Sequence, residues 1–142
     1  SSSSSSSQFA MTSKLPACLI AGGETTVTLN HSCQGKGGRN QELALQAAVD
    51  LYEQQQPSST QITLASIGTD GTDGPTDAAG AIVDGCTIHN EESYQQAQTA
   101  LQTHNAYPYL KQHSALIQTG PTGTNVADLC VILIHPKEKS NS

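Results

Sequence analysis

The chain has 142 residues, a formal net charge of −6 and only 13% charged residues, with no Trp and one Phe. That length suits a single domain able to hide about two-thirds of its unfolded surface, with a core drawn from Ala, Leu, Ile and Val. Six Lys and Arg against twelve Asp and Glu form no basic stripe, which argues against a nucleic-acid groove, and no run approaches the roughly 18 apolar residues of a membrane span.

In chain order, residues 1–16 read as a flexible Ser-rich lead-in. Ser1 to Lys14 lacks the apolar core of a secretory signal and carries no Arg, so neither export nor a mitochondrial presequence is expected. The chain does not begin with Met, which suggests part of a longer protein. An α/β domain is expected over 17–136, with a charged tail over 137–142. Ala17 to Ala21 predicts a first strand ending at Gly22-Gly23-Glu24, and Thr25 to Leu29 a second, β-branched one. Gly35-Lys-Gly-Gly-Arg-Asn-Gln-Glu42 then opens into a helix over Leu43 to Glu53. Its apolar residues fall on two stripes, Leu43/Ala47/Leu51 and Leu45/Val49/Tyr52, which predicts burial on two sides.

A Gly-rich turn feeding a helix start leaves backbone N–H groups facing outward at the positive end of the helix dipole. With Lys36 and Arg39 beside them, this is the densest cationic spot in the chain and a natural seat for a carboxylate or phosphate. It is neither a dinucleotide fingerprint nor a P-loop. The alternative is a hairpin tip with Arg39 lying over the helix.

Ile62 to Ile67 predicts a buried strand, followed by Gly68-Thr-Asp-Gly-Thr-Asp-Gly-Pro-Thr-Asp-Ala-Ala-Gly80. Asp70, Asp73 and Asp77 crowd this loop, and no Lys or Arg occurs between Ser66 and Asn90. Crowded carboxylates need water, a backbone nest or a cation; the structural alternative is a set of Asx-turns. Further strands are expected at Ala81 to Asp84, Ser114 to Gln118 and Leu129 to Ile134. Helices are expected from Glu91 to Thr103, capped by Asn90, and from Ala106 to Gln112. Strands alternating with helices predict a three-layer α/β/α fold with a mixed, largely parallel sheet. The Gly22 turn, the Asp70 loop and the Thr119 to Asn125 loop are then expected along one rim, with the Arg39 turn beside them. Cys18, Cys33, Cys86 and Cys130 lie far apart with no C-x-x-C, and the five His make no metal motif. Free, buried, reduced thiols in a cytoplasmic protein are expected, with a disulfide pair as the alternative.

Four motifs, Gly22-Gly-Glu-Thr-Thr-Val27, Gly37-Gly-Arg-Asn-Gln-Glu42, the Gly68 to Gly80 loop and Thr119-Gly-Pro-Thr-Gly-Thr-Asn125, occur in the order found in the MOFRL domain, which this sequence resembles from about Ala17 to Ile134. That is the C-terminal domain of a class of glycerate 2-kinases also once described as hydroxypyruvate reductases. The resemblance implies ATP-dependent phosphorylation of glycerate with a divalent metal, Mg²⁺, in a cleft against a Rossmann-like N-terminal domain that this chain lacks. It therefore implies half a site, inactive alone. Motif by motif, Arg39 resembles a substrate-binding arginine and Asp70 an acidic active-site residue. Lys36, Gly37, Gly38, Asn40, Glu24 and Thr122 are expected to line the substrate or phosphate site, and Asp70 with Asp73 to hold the metal. Two other functions stay open: a non-catalytic binding or interaction domain, and a hydroxypyruvate reductase, against which stands the missing dinucleotide fingerprint.

Overall fold

The computed structural model describes residues 15–24, 35–54 and 59–138. Most of the Ser-rich lead-in, the expected strand at Thr25 to Leu29, Cys33 and the last residues of the tail lie outside them. The strands are β1 (Ala17–Gly23), β2 (Thr60–Gly68), β3 (Gly80–Asp84), β4 (Leu116–Ile117) and β5 (Asp128–Pro136). The helices are α1 (Arg39–Glu53), α2 (Glu91–Gln102) and α3 (Ala106–Gln112).

The strands form one sheet in the order β1-β5-β2-β3-β4, and every neighbouring pair is antiparallel. This corrects the expected three-layer fold with a largely parallel sheet: the domain is α+β. The physical reason lies in two connections. A parallel pair needs a crossover of a dozen or more residues, usually helical, but the loop from β2 to β3 is spent on the Asp-rich turn and brings the chain straight back. The α1 crossover does carry the chain from β1 to a strand of the same direction, yet β5 inserts between the two and pairs antiparallel with both.

The helices form one layer. α1 packs on β2 and β3, and α2 and α3 pack on α1 and on each other. The core they close with the sheet includes Leu45, Val49, Leu64, Val83, Ile88 and Leu110. α1 buries a single continuous face, Asn40, Gln41, Ala44, Leu45, Ala48 and Val49, rather than two stripes. The small residues Ala44 and Ala48 let the helix lie close to the strands, and Leu43, Ala47 and Tyr52 complete the packing as partly buried flanks. α2 starts where expected: the Asn90 side chain accepts the Ser93 N–H at 2.8 Å, and Glu91 and Glu92 sit in the first turn. Pro108 is tolerated in α3 because it falls in the first turn, where no intrahelical N–H bond is lost. His104 and Glu42, 2.8 Å apart, tie the end of α2 to α1.

Candidate functional site

The rim is built at one end of the sheet. In the β-ladders Gly23, Asp128 and Gly68 stand side by side, so the end of β1, the start of β5 and the end of β2 meet there. Two loops are stitched together above them. The Thr69 N–H and hydroxyl both donate to the Ala127 carbonyl, the Thr122 N–H donates to the Asp70 carbonyl at 3.2 Å, and the Thr122 hydroxyl donates to the Thr69 carbonyl at 2.5 Å. Gly71, at φ +90, makes the approach possible: a Cβ there would sit 2.0 Å from the Gly120 carbonyl oxygen. The expectation of a shared rim therefore matches the geometry, although β5 runs the opposite way to β1 and β2.

The helix start does hold a carboxylate, and it belongs to the chain itself. Asp73, only 2% exposed, accepts four hydrogen bonds: Asn40 N–H and Nδ2 on Oδ1, and Gln41 N–H and Nε2 on Oδ2, all between 2.9 and 3.2 Å. An anion placed on the first-turn N–H groups is stabilised by the helix dipole. No side chain of the residue before the helix caps it, since that residue is Gly38. Gly38 is needed because a Cβ would lie 2.3 Å from the Asp73 carboxyl carbon. Asn40 Oδ1 in turn accepts the Ser66 hydroxyl at 2.7 Å, tying the cap to β2. Gln41 Nε2 also reaches the Asp73 carbonyl and the Thr76 hydroxyl, while its Oε1 is buried with no partner among the described residues.

Arg39 turns the other way. Its Nε and Nη2 grip both carboxylate oxygens of Asp128 at 2.5 and 2.9 Å, with the Asp128 side chain 8% exposed and that of Arg39 39% exposed. The fork-to-fork bond to Asp128 holds the guanidinium pKa above its usual value, with Glu24 and Asp73 adding to the pull against partial desolvation. The remaining N–H donors on Nη1 and Nη2 make no hydrogen bond to a described residue. Sequence reasoning missed Asp128. The available signal was a lone carboxylate opening an otherwise apolar strand, directly after the Thr/Gly loop.

Asp70 is half-buried on the same rim, and its Oδ1 accepts the Thr72 N–H at 3.0 Å in an Asx-turn. It makes no ion pair with a described residue. Lys36 is drawn away toward α3: its ammonium sits 4.1 Å over the Tyr107 ring, and its N–H donates to Asn105 Oδ1. The Tyr107 hydroxyl donates to Asp77 at 2.7 Å, which lowers the Asp77 pKa and raises that of Tyr107. Gly37 packs on Ala106, so Lys36 and Gly37 join the helix layer while Arg39, Asp70, Glu24 and Thr122 gather near the sheet end. Among the described residues no group of three or more His, Cys, Asp or Glu is placed to hold a metal ion.

A profile of the MOFRL family matches residues 17–128. The chain belongs to the MOFRL family. This MOFRL domain is 51% identical over 126 residues to D-glycerate 2-kinase of Thermotoga maritima, an alignment covering 85% of the chain and 28% of that protein. It is 44% identical over 123 residues to glycerate 2-kinase of Pyrococcus horikoshii, covering 86% of the chain and 26% of the relative. The crystal structure of glycerate kinase from Thermotoga maritima superposes with a TM-score of 0.73 at 49% identity, over 85% of this chain and 28% of that one. The domain is thus homologous to the C-terminal region of glycerate 2-kinases and spans about a quarter of the length of these relatives. No helix among the described residues is long and apolar enough to cross a membrane.

Proposed function

We propose that this MOFRL domain is the C-terminal part of a glycerate 2-kinase and supplies the substrate- and phosphate-facing loops for ATP-dependent phosphorylation of glycerate. What supports this reading is that the Asp70 loop leaves β2 beside Asp128, the partner of Arg39, in a domain 51% identical to a D-glycerate 2-kinase. In the reaction the glycerate 2-hydroxyl oxygen bonds to the γ-phosphorus of ATP, the bond to the bridging oxygen breaks, and ADP leaves. Such transfers depend on positioning and charge neutralisation more than on covalent help. Arg39 is suited to the first task, since Asp128 fixes its plane and its outer N–H groups remain available for a carboxylate or phosphoryl oxygen. Glu24 and Thr122 shape the surroundings, and Asn40 sets the first turn beneath them.

Mg²⁺ bound with nucleotide needs only one or two carboxylates, the rest of its shell being phosphate and water. Asp70 fits that requirement as a single open carboxylate. Asp73 fits it poorly, because the in-plane lone pairs of both its oxygens are used by N–H donors. When bound, the metal supplies neutralisation of phosphate charge, and without it the Asp70 loop would repel a triphosphate. Asp70 is alternatively placed to accept the proton of the 2-hydroxyl.

The test joins this chain to the preceding portion of the Thermotoga maritima kinase, in place of that protein's own matched region. The expected result is ATP-dependent phosphorylation of glycerate, with Arg39→Ala losing about 2–4 kcal/mol of transition-state stabilisation in kcat/KM. A folded hybrid without that activity would overturn the assignment, and an unchanged kcat/KM would remove Arg39 from it. A second reading, a non-catalytic binding domain, is favoured by the internal pairing of Arg39 with Asp128. Calorimetry of the 142-residue chain separates the two: micromolar binding of neither Mg-ATP nor glycerate, together with an inactive hybrid, selects the second. The relatives carry kinase names, so hydroxypyruvate reduction is not carried forward.

A further inference from the structure

The three helices pack on the sheet face that carries Leu64, Ser66, Ala81 and Val83. Side chains directly opposite in the ladders share a face, so the other face carries Ile20, Ile67, Ile82, Leu129, Val131 and Leu133 across β1, β5, β2 and β3. Ile82 is 44% exposed and Leu133 41%, and on the edge strand β1, which is exposed on both faces, Ile20 is 68% exposed. β5 reads Asp-Leu-Cys-Val-Ile-Leu-Ile with no polar alternation, the pattern of a strand covered on both sides rather than one facing water. Polar residues collect only toward the opposite end of that face, at Thr63, Asp84, Gln61 and His135. A contiguous apolar patch with a polar border marks a surface made to be buried.

We propose that this open face is a docking surface for an apolar face of the polypeptide that precedes the MOFRL region in glycerate kinases. The occupant follows from two observations. The relatives match this chain only in their C-terminal part and devote about three-quarters of their length to other sequence. The matched region also begins at residue 17, in β1, the edge strand that borders the open face, so the preceding polypeptide is delivered beside it. The inference rests on the kinase reading, but burial of this face and catalysis at the rim are separable. The face lies behind the sheet from α1, while Asp128 and the Arg39 it holds belong to the helix-covered side.

Cys18 reports on the face, since it stands opposite Leu133 and is exposed. In the 142-residue chain alone, maleimide should label Cys18 rapidly, sedimentation should show a monomer, and Ile82→Lys should leave the melting temperature unchanged. In the hybrid with the preceding portion of the Thermotoga maritima kinase, Cys18 labelling, read by peptide mass, should slow at least tenfold. There Ile82→Lys, on β3 and far across the sheet from the join, should restore fast labelling or lower the melting temperature. Arg39→Ala should lower kcat/KM by about 30- to 900-fold while keeping Cys18 protected, which tells failure of the kinase reading from failure of this one. Equal Cys18 labelling in chain and hybrid overturns the proposal. So does a dimer of the chain alone that Ile82→Lys dissociates, because the occupant would then be a second copy.

Discussion

The two halves of one acidic loop do opposite things. Asp73 is buried and accepts four N–H donors at the start of α1, whereas Asp70, three residues earlier, is half-buried with a single backbone donor on Oδ1. Both follow a strand within the same Gly-Thr-Asp-Gly-Thr-Asp-Gly repeat, so composition does not separate them. What separates them is the neighbour each meets: a helix mouth with unsatisfied N–H groups for Asp73, a loop edge for Asp70. A carboxylate saturated by the fold is a structural element, and one left open on a rim is a chemical resource.

The sharpest way to break this contrast is Asp73→Ala. Removing the cap leaves buried N–H groups without partners, and the loss should be about 3–5 kcal/mol in urea unfolding of the chain. A loss under about 1 kcal/mol would show that water replaces the carboxylate easily. Gly38→Ala probes the same contact from the other side: the added Cβ meets the Asp73 carboxylate, and about 1–3 kcal/mol should be lost. Arg39→Ala should cost about 1–2 kcal/mol, because the nearly buried Asp128 carboxylate loses its fork partner, while the exposure of Arg39 discounts the charge contribution. The smallest effect is a titration. Asp77 has its pKa lowered by the Tyr107 hydroxyl, so the stability it adds is present above the ordinary Asp range and lost as pH falls through the depressed folded value. Tyr107→Phe should move the Asp77 titration, followed by carboxyl NMR, back up toward the ordinary value.

Much of the local structure was legible because it obeys local rules. The Asn90 cap, the apolar run of β5 and the Gly/Thr/Asp loops at strand ends all follow from residue chemistry that acts over a few positions. The antiparallel direction of pairing was not, because the insertion of β5 between β1 and β2 is a long-range choice that leaves no mark in either strand's sequence. The anion seat at Gly37-Gly38 was legible in kind: the helix start does bind a carboxylate, but periodicity cannot tell that Asp73 supplies it. Lys36 was grouped with Arg39 by proximity in sequence, whereas the turn at Gly37-Gly38 sends one to Tyr107 and the other to Asp128. Asp128 itself lies 89 residues from its partner, beyond any motif spacing.

The division of labour between the two carboxylates is tested most directly by Asp70→Asn in the active hybrid, with melting temperature and kcat/KM measured on the same preparation. The account predicts a melting temperature within about 2 °C of the parent, since only an exposed turn contact changes, with kcat/KM lower by about 100-fold or more. Full activity in that variant, or a collapse of stability matching that of Asp73→Ala, would contradict it.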